Sequence, residues 1–250
     1  MTEQNEFWLG YVPGATPAKW AQRWSERVTD VPLRLVQISV ADQCSALVQR
    51  RVDAALVRLP AQRDEEWELL SVVPLYEEVP VVVVPRGHFL SAGEEVTYAD
   101  LADEALWYPL DDTFAWEGAG GVPGAAQPHR PATSREALEL VATGTGVTVV
   151  PMSVARLHPD PELVSRPLAA GPRSQVGIAW LAERSTDTDA LLDEMVGIVK
   201  GRRANSSRGL RSQAPAVQKP PASKPAAKTA RRGTPRQTSN RRKQPRKPGR

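Results

Sequence analysis

Cysteine is almost missing from this chain. A single residue, Cys44, stands among 250, which rules out an intramolecular disulfide framework and a cysteine-rich metal site. Cys44 precedes Ala46, Leu47 and Val48 and reads as a small, half-buried hydrophobe, with a reactive thiol as the alternative. Histidine is scarce as well. His88, His129 and His158 sit beside Pro- or Gly-rich turns, far apart and without metal-ligand spacing, and read as surface or turn residues. Long apolar runs are missing too: nothing approaches the ~20 residues of a membrane helix. The opening Met1-Thr2-Glu3-Gln4-Asn5-Glu6 has the wrong charge for a secretory signal. The expected location is cytoplasmic, with no membrane contact. Catalytic signatures are also lacking. There is no Gly-x-Ser-x-Gly elbow and no P-loop, and Gly118–Gly124 (GAGGVPG) lacks the strand-to-helix context of a nucleotide site. The pairs Asp111-Asp112 and Glu94-Glu95 fall in expected loops and read as solvated. Neither catalysis nor a cofactor is expected.

Acidic residues are missing from one part of the chain only. Residues 201–250 hold 16 Lys+Arg and no Asp or Glu, while the first 200 hold the other 16 basic residues against all 29 acidic ones, a net charge of −13. The chain therefore reads as an acidic body (1–200) joined to a basic tail (201–250). The tail is Lys, Arg, Pro, Ser, Ala, Gln and Thr with almost no large apolar side chain. It cannot bury enough surface to offset the entropy of ordering, so disorder is expected there.

Within the body, strand-like and helix-like segments alternate. Phe7 to Val12 suits a strand, and Thr16-Pro17 is a helix start, with Thr16 as N-cap and Pro17 in the first turn. That helix runs to about Val28 and spaces Trp20, Trp24 and Val28 on one face. Leu33 to Ser39 is a strand, Asp42 to Arg50 a helix and Asp53 to Leu59 a strand. Leu69 to Leu75 and Val79 to Val84 are further strands, and Val81–Val84 is apolar without alternation, as in a strand covered on both faces. Tyr98 to Leu106 suits a short helix, and Asp111 to Ala132 a loop. Thr133-Ser134-Arg135-Glu136 fits a capping box opening a helix to about Thr143. Val147 to Val150 is a strand stopped by Pro151, Gln175 to Leu181 another, and Thr188 to Lys200 a closing helix. The repeated strand–helix–strand order predicts an α/β fold with parallel sheets.

In this order the segments resemble the effector-binding domain of LysR-type transcriptional regulators. The resemblance rests on Phe7–Val12 with Gly14–Thr16 and Pro17–Val28, on the Pro-led strand Val31-Pro32-Leu33-Arg34-Leu35, and on the Asp-led strand Asp53-Ala54-Ala55-Leu56-Val57. It continues through Leu75-Tyr76-Glu77-Glu78, Pro85-Arg86-Gly87-His88-Phe89-Leu90 and Tyr98-Ala99-Asp100-Leu101-Ala102. The most specific stretch is Leu140-Val141-Ala142-Thr143-Gly144-Thr145-Gly146 followed by Val147–Val150 and Pro151. It covers roughly residues 7–200. The resemblance implies a two-lobed, periplasmic-binding-protein-like (type 2) fold, with lobe I about 1–80 plus 166–200 and lobe II about 81–165. A small-molecule effector would lie in the cleft between the lobes, and homodimers would form. Three departures stand out. No winged helix-turn-helix is expected ahead of residue 7, the segment after Tyr108 is short and runs to Gly and Pro, and the basic tail lies outside the family pattern.

The same resemblance directs three helix starts to the cleft: Gly14, Ala15 and Thr16; Val40, Ala41 and Asp42; and Thr133 with Ser134, together with Arg58 and Pro151. Helix N-termini favour anions, so the Thr16, Thr133 and Ser134 hydroxyls are candidates for a ligand carboxylate. The competing reading makes Thr16 and Thr133 plain caps. Asp42 argues against an anion at its own loop and for a cationic or amine-bearing ligand. Arg58 pairs with a ligand carboxylate or with Asp42, or is a solvated surface residue. Trp20 and Trp24 pack on the sheet, or one serves a dimer interface. In the tail, Arg231, Arg232, Arg241, Arg242, Lys243, Arg246 and Lys247 can neutralise phosphates without base stacking, which implies non-specific, salt-sensitive nucleic-acid binding. The function expected is an effector-binding sensor in transcription regulation. The alternative is a nucleoid- or RNA-associated protein in which the tail does the work and the cleft is vestigial.

Overall fold

A computed structural model of the chain describes residues 6–60, 64–183 and 186–201. The tail residues read as a nucleic-acid contact lie outside them.

Strand β1 (Phe7–Tyr11) buries Phe7, Leu9 and Gly10 and leaves Trp8 exposed, so its inner face is covered throughout and its other face in part. Helix α1 (Ala18–Arg27) follows and packs back on it through Trp24, whose ring stacks on Phe7 with centroids 4.8 Å apart. The indole N–H of Trp24 donates to the Val31 carbonyl at 2.8 Å, so the polar edge of this buried ring is satisfied. Trp20 and Val28 pack part-buried on the same core, as their spacing predicts. The helix start is corrected by one residue. Pro17 already has helical backbone angles and its carbonyl accepts from Ala21 N at 2.9 Å, so Pro17 takes the N-cap position, where it brings no side-chain hydrogen bond. Thr16 is exposed and caps nothing.

Strands β2 (Leu33–Gln37) and β3 (Ala54–Arg58) pair parallel with β1 on either side, joined through α1 and the short α2 (Gln43–Val48). A four-residue helix α3 (Glu65–Glu68), capped by Asp64, leads to β4 (Leu70–Glu78). The chain then crosses at Val79 into β5 (Pro80–Pro85) of a second sheet. That sheet adds β6 (Ala105–Trp107), the two-residue β7 (Ala125–Ala126), β8 (Val147–Pro151) and β9 (Leu163–Pro167). Helices α4 (Ser134–Ala142) and α5 (Met152–Leu157) flank β8. The chain returns to the first sheet as β10 (Ser174–Leu181) and ends in α6 (Thr186–Val199), which packs beside α1.

The strand orders are β2-β1-β3-β10-β4 and β7-β6-β8-β5-β9. Neither sheet is all-parallel, which corrects the expectation from strand–helix alternation. β10 runs antiparallel to β3 and β4, and β5 antiparallel to β8 and β9. The reason is the double crossing: a strand arriving from the other sheet enters at the end where the others leave. As a result β1, β3, β6 and β8 all direct their C-terminal ends toward the crossing, the usual place for a ligand in an α/β sheet. Val81–Val84 are all buried, with Val82 and Val84 in one core cluster and Val81 and Val83 in another. At about 1.5–3 kcal/mol for each fully buried apolar side chain, this short run is a major stabiliser.

Two further expectations change. Tyr98 to Leu106 yields only a 3₁₀ turn at Ala99–Leu101, because Ala105–Trp107 pair with β7 and β8 and bury Leu106. The stretch 111–132 is not a plain loop. It buries Phe114 and Trp116, contains a 3₁₀ turn at Trp116–Ala119 and contributes β7. No helix among the described residues is long and apolar enough to cross a membrane.

Candidate functional site

Between the C-terminal ends of the two sheets lies a cavity of about 240 Å³. From the first sheet Pro13, Gln37, Ser39, Val40, Ala41 and Arg58 line it. From the second come Asp111, Asp112, Thr113, Ala132, Thr133, Ser134, Arg135, Pro151, Val154 and His158. Six of the residues singled out from sequence meet here: Val40, Ala41, Arg58, Thr133, Ser134 and Pro151. Gly14, Ala15 and Thr16 do not. They border a wider groove of about 720 Å³ with Glu77, Met152, Ser153 and Arg156. Asp42 also stands outside the cavity lining, exposed, accepting from the Ser39 hydroxyl at 2.8 Å.

Arg58 ends β3 and is 2% exposed, so the solvated-surface reading is overturned. Its backbone is fixed by buried Gln43, which donates to the Arg58 carbonyl at 2.9 Å and accepts from its N–H at 3.0 Å. The guanidinium donates to Pro13 O at 2.5 Å, to Glu78 Oε2 at 2.8 Å and to Ser153 Oγ at 2.9 Å. Its partner is therefore Glu78, at the end of β4, and not Asp42. Nε of Arg58 is buried and has no partner. Gly14 allows this arrangement. Its φ is +85°, and a Cβ there would lie 2.5 Å from Ser153 Oγ and 2.9 Å from the Arg58 guanidinium.

At the start of α4 the Thr133 cap forms as expected, while the return bond of Glu136 goes to the N–H of Ala132, one residue before the N-cap, and not to that of Thr133. Thr133 Oγ1 accepts from Glu136 N at 3.2 Å, while the Glu136 carboxylate accepts from Ala132 N at 2.8 Å. Ser134 is engaged differently: its N–H and its hydroxyl both donate to Asp111 Oδ1, at 2.8 and 2.7 Å. Asp112 Oδ2 accepts from Trp116 Nε1 at 2.8 Å and from Phe114 N at 3.3 Å. Asp111 and Asp112 were expected to be solvated; the ordered 108–133 segment instead folds them against α4 and Trp116. Burial pushes the Asp112 carboxyl up to about 7, with neighbouring Asp111 adding to the rise and the bonds from Trp116, Phe114 and Tyr108 opposing it. His158, on the far wall, is held below the usual imidazole value by burial and then by Arg135.

Sequence reasoning missed Asp111, Asp112, Thr113 and His158 as cavity residues. A usable signal was the dense cluster Tyr108-Pro109-Leu110-Asp111-Asp112, which follows a strand end facing the same helix start. Among the described residues no group of three His, Cys, Asp or Glu side chains is placed to hold a metal ion.

Comparison with known proteins agrees with this architecture. The family model for the LysR substrate binding domain matches residues 13–197, and the chain belongs to that family. It is 26% identical over 182 residues to a probable hydrogen peroxide-inducible genes activator of Mycobacterium avium, covering 70% of this chain and 57% of that protein. It is 25% identical over 215 residues to the Hca operon transcriptional activator HcaR of Escherichia coli, covering 81% and 70% respectively. The chain spans about half the length of the mycobacterial relatives it matches. Among solved structures, the oxidised form of OxyR superposes with a TM-score of 0.61 at 20% identity, covering 80% of this chain and 97% of that one. The BenM effector binding domain with its effector benzoate gives 0.60 at 22%, covering 78% and 90%. The fold is that of the two-lobed, periplasmic-binding-protein-like effector domains.

Proposed function

We propose that the chain is a small-molecule effector sensor acting in transcription regulation, with residues 1–200 as the sensing body and 201–250 as a basic tail. In this reading lobe I comprises about 1–80 plus 166–200 and lobe II about 81–165. The observation that carries it is the cavity of about 240 Å³ lined from both sheets at their strand ends. A ligand touching both walls favours a closed arrangement and shifts the population toward it. Val40, Ala41, Arg58, Thr133, Ser134 and Pro151 are assigned to ligand contact, with Gly14, Ala15 and Thr16 contributing through the neighbouring groove. The protein works in the cytoplasm as a homodimer, with the Trp20 face of α1 as the candidate contact. It is not an enzyme, and it needs no cofactor.

Several relatives are named for hydrogen peroxide induction. A thiol response in this chain would have to run through Cys44, which is 6% exposed and whose thiol burial pushes up to about 12. That chemistry favours a bound effector over a redox signal. Thermal melts of the full chain against a metabolite collection test the reading: a ligand that raises Tm supports it, and a collection without effect counts against it.

The tail's 16 basic and no acidic residues support non-specific phosphate contact through Arg231, Arg232, Arg241, Arg242, Lys243, Arg246 and Lys247. They equally favour a second reading, a nucleoid- or RNA-associated protein with a vestigial cleft. DNA titrations at two salt concentrations, on the full chain and on a version ending at Lys200, separate them. Loss of a steeply salt-dependent affinity on truncation assigns the contact to the tail. Absence of binding by both forms removes it.

A further inference from the structure

The cavity carries a charge pattern that differs from the carboxylate seat expected at the start of α4. We propose that Asp111 sets the charge class of the ligand: its own carboxylate fills that seat, so the cavity turns away small carboxylates and takes an amine-bearing molecule. This rests on the effector-binding reading and specifies it.

The first N–H groups of a helix are unpaired and favour an anion. In α4, nine residues long, the Ser134 N–H and hydroxyl are both spent on Asp111 Oδ1. The Thr133 hydroxyl oxygen accepts from Glu136 N, and the Ala132 N–H donates to the Glu136 carboxylate. Neither cationic side chain supplies a free charge. Arg58 is paired with buried Glu78, and Arg135 reaches out to Glu139 with 68% of its side chain exposed. Two acidic side chains, Asp111 and Asp112, line the cavity with no unpaired Arg or Lys beside them among the described residues. The same cavity is lined by Arg58, whose buried Nε has no partner, and by Thr113, whose buried hydroxyl has none. A ligand carboxylate would have to displace Asp111 from the start of α4, and it would push the Asp112 carboxyl further toward its neutral form. An ammonium pairs with the Asp111 carboxylate directly and favours the charged form of the Asp112 carboxyl.

The test uses the full chain and two probes of matched shape and opposite charge, benzylamine and benzoate, read by thermal melts and titration calorimetry. Wild type is expected to gain Tm with benzylamine and not with benzoate. Asp111→Ala, which opens the seat, is expected to gain benzoate affinity and lose benzylamine affinity by roughly tenfold or more, the scale of one charge-assisted hydrogen bond. Asp111→Asn keeps an oxygen for Ser134 N and so guards against loss of folding. It is expected to weaken benzylamine without gaining benzoate. Wild type binding benzoate as tightly as benzylamine, showing no response to benzylamine, or Asp111→Ala gaining nothing for benzoate would each overturn the proposal. A carboxylate metabolite that raises wild-type Tm would sink it while leaving effector binding intact. A metabolite collection with no effect at all would remove the effector-binding reading itself.

Discussion

Arg58 Nη2 lies 2.8 Å from Glu78 Oε2, and the two side chains are only 2% and 8% exposed. Because Arg58 also reaches Pro13 O before α1 and Ser153 Oγ at the start of α5, one guanidinium ties together the first sheet, the crossing strand and the second sheet. Removing one partner of such a pair leaves an uncompensated buried charge. Glu78→Ala and Arg58→Ala are each expected to cost about 3–5 kcal/mol. The double change Arg58→Ala with Glu78→Ala is expected to cost clearly less than the sum. Urea melts of the four proteins measure the cycle, and additive losses would show that the two side chains are not coupled.

Asp112 makes stability depend on pH in an unusual direction. Its carboxyl titrates near about 7 when folded, against about 3.9 in an unfolded chain. Between those values the folded protein binds more protons than the unfolded one, so this group's contribution falls as pH rises from about 4 to about 7 and levels off above. The slope is at most about 1.4 kcal/mol per pH unit. Asp112→Asn keeps an acceptor for Trp116 Nε1 and removes the charge. The variant should match wild type below about pH 4 and exceed it by a growing margin up to about pH 7; parallel stability curves for the two would contradict the assignment.

Much of the framework could be read from the chain because its causes are local. Val81–Val84 declares a strand covered on both faces by composition alone, and the spacing of Thr133 to Glu136 suffices for a cap that the structure forms. The wall of the site was not legible in the same way. Asp111 and Asp112 look like loop acids until tertiary folding sets Ser134 and Trp116 against them, and burial is not encoded in a dipeptide. Arg58 is similar: its partner Glu78 is twenty residues away and belongs to the crossing strand. Helix α5 has only six residues, too few for a period to show, and it begins immediately after Pro151, which reads as a stop.

Cys44 is expected to be chemically silent in the folded protein. With its thiol pushed up to about 12, first by burial and then by Asp64 and Glu66, almost no thiolate exists at neutral pH. Intact-mass measurements after iodoacetamide should show no alkylation of native protein and rapid alkylation after denaturation. Fast native modification would restore a redox reading.

Gly146 sits at φ +78°, and a Cβ there would run into Ala105 O, a backbone atom that cannot swing aside. Gly146→Ala is expected to cost about 1–3 kcal/mol or more from backbone strain and the clash, read as a lower urea midpoint. Gly120, also at positive φ but with open space around it, should cost about 1–2 kcal/mol at most on substitution by alanine. Equal losses at the two sites would deny the close packing of β6 against the start of β8.

The most direct test of the central claim fills the cavity. Ala41 lines it from an exposed position at the start of α2, so Ala41→Trp should leave the fold intact while occupying the space. Wild type and Ala41→Trp would be melted against the same metabolite collection. The account predicts at least one compound that raises wild-type Tm and has no effect on the variant. Stabilisation that survives the substitution unchanged would place the ligand elsewhere and contradict a sensing cleft between the two sheets.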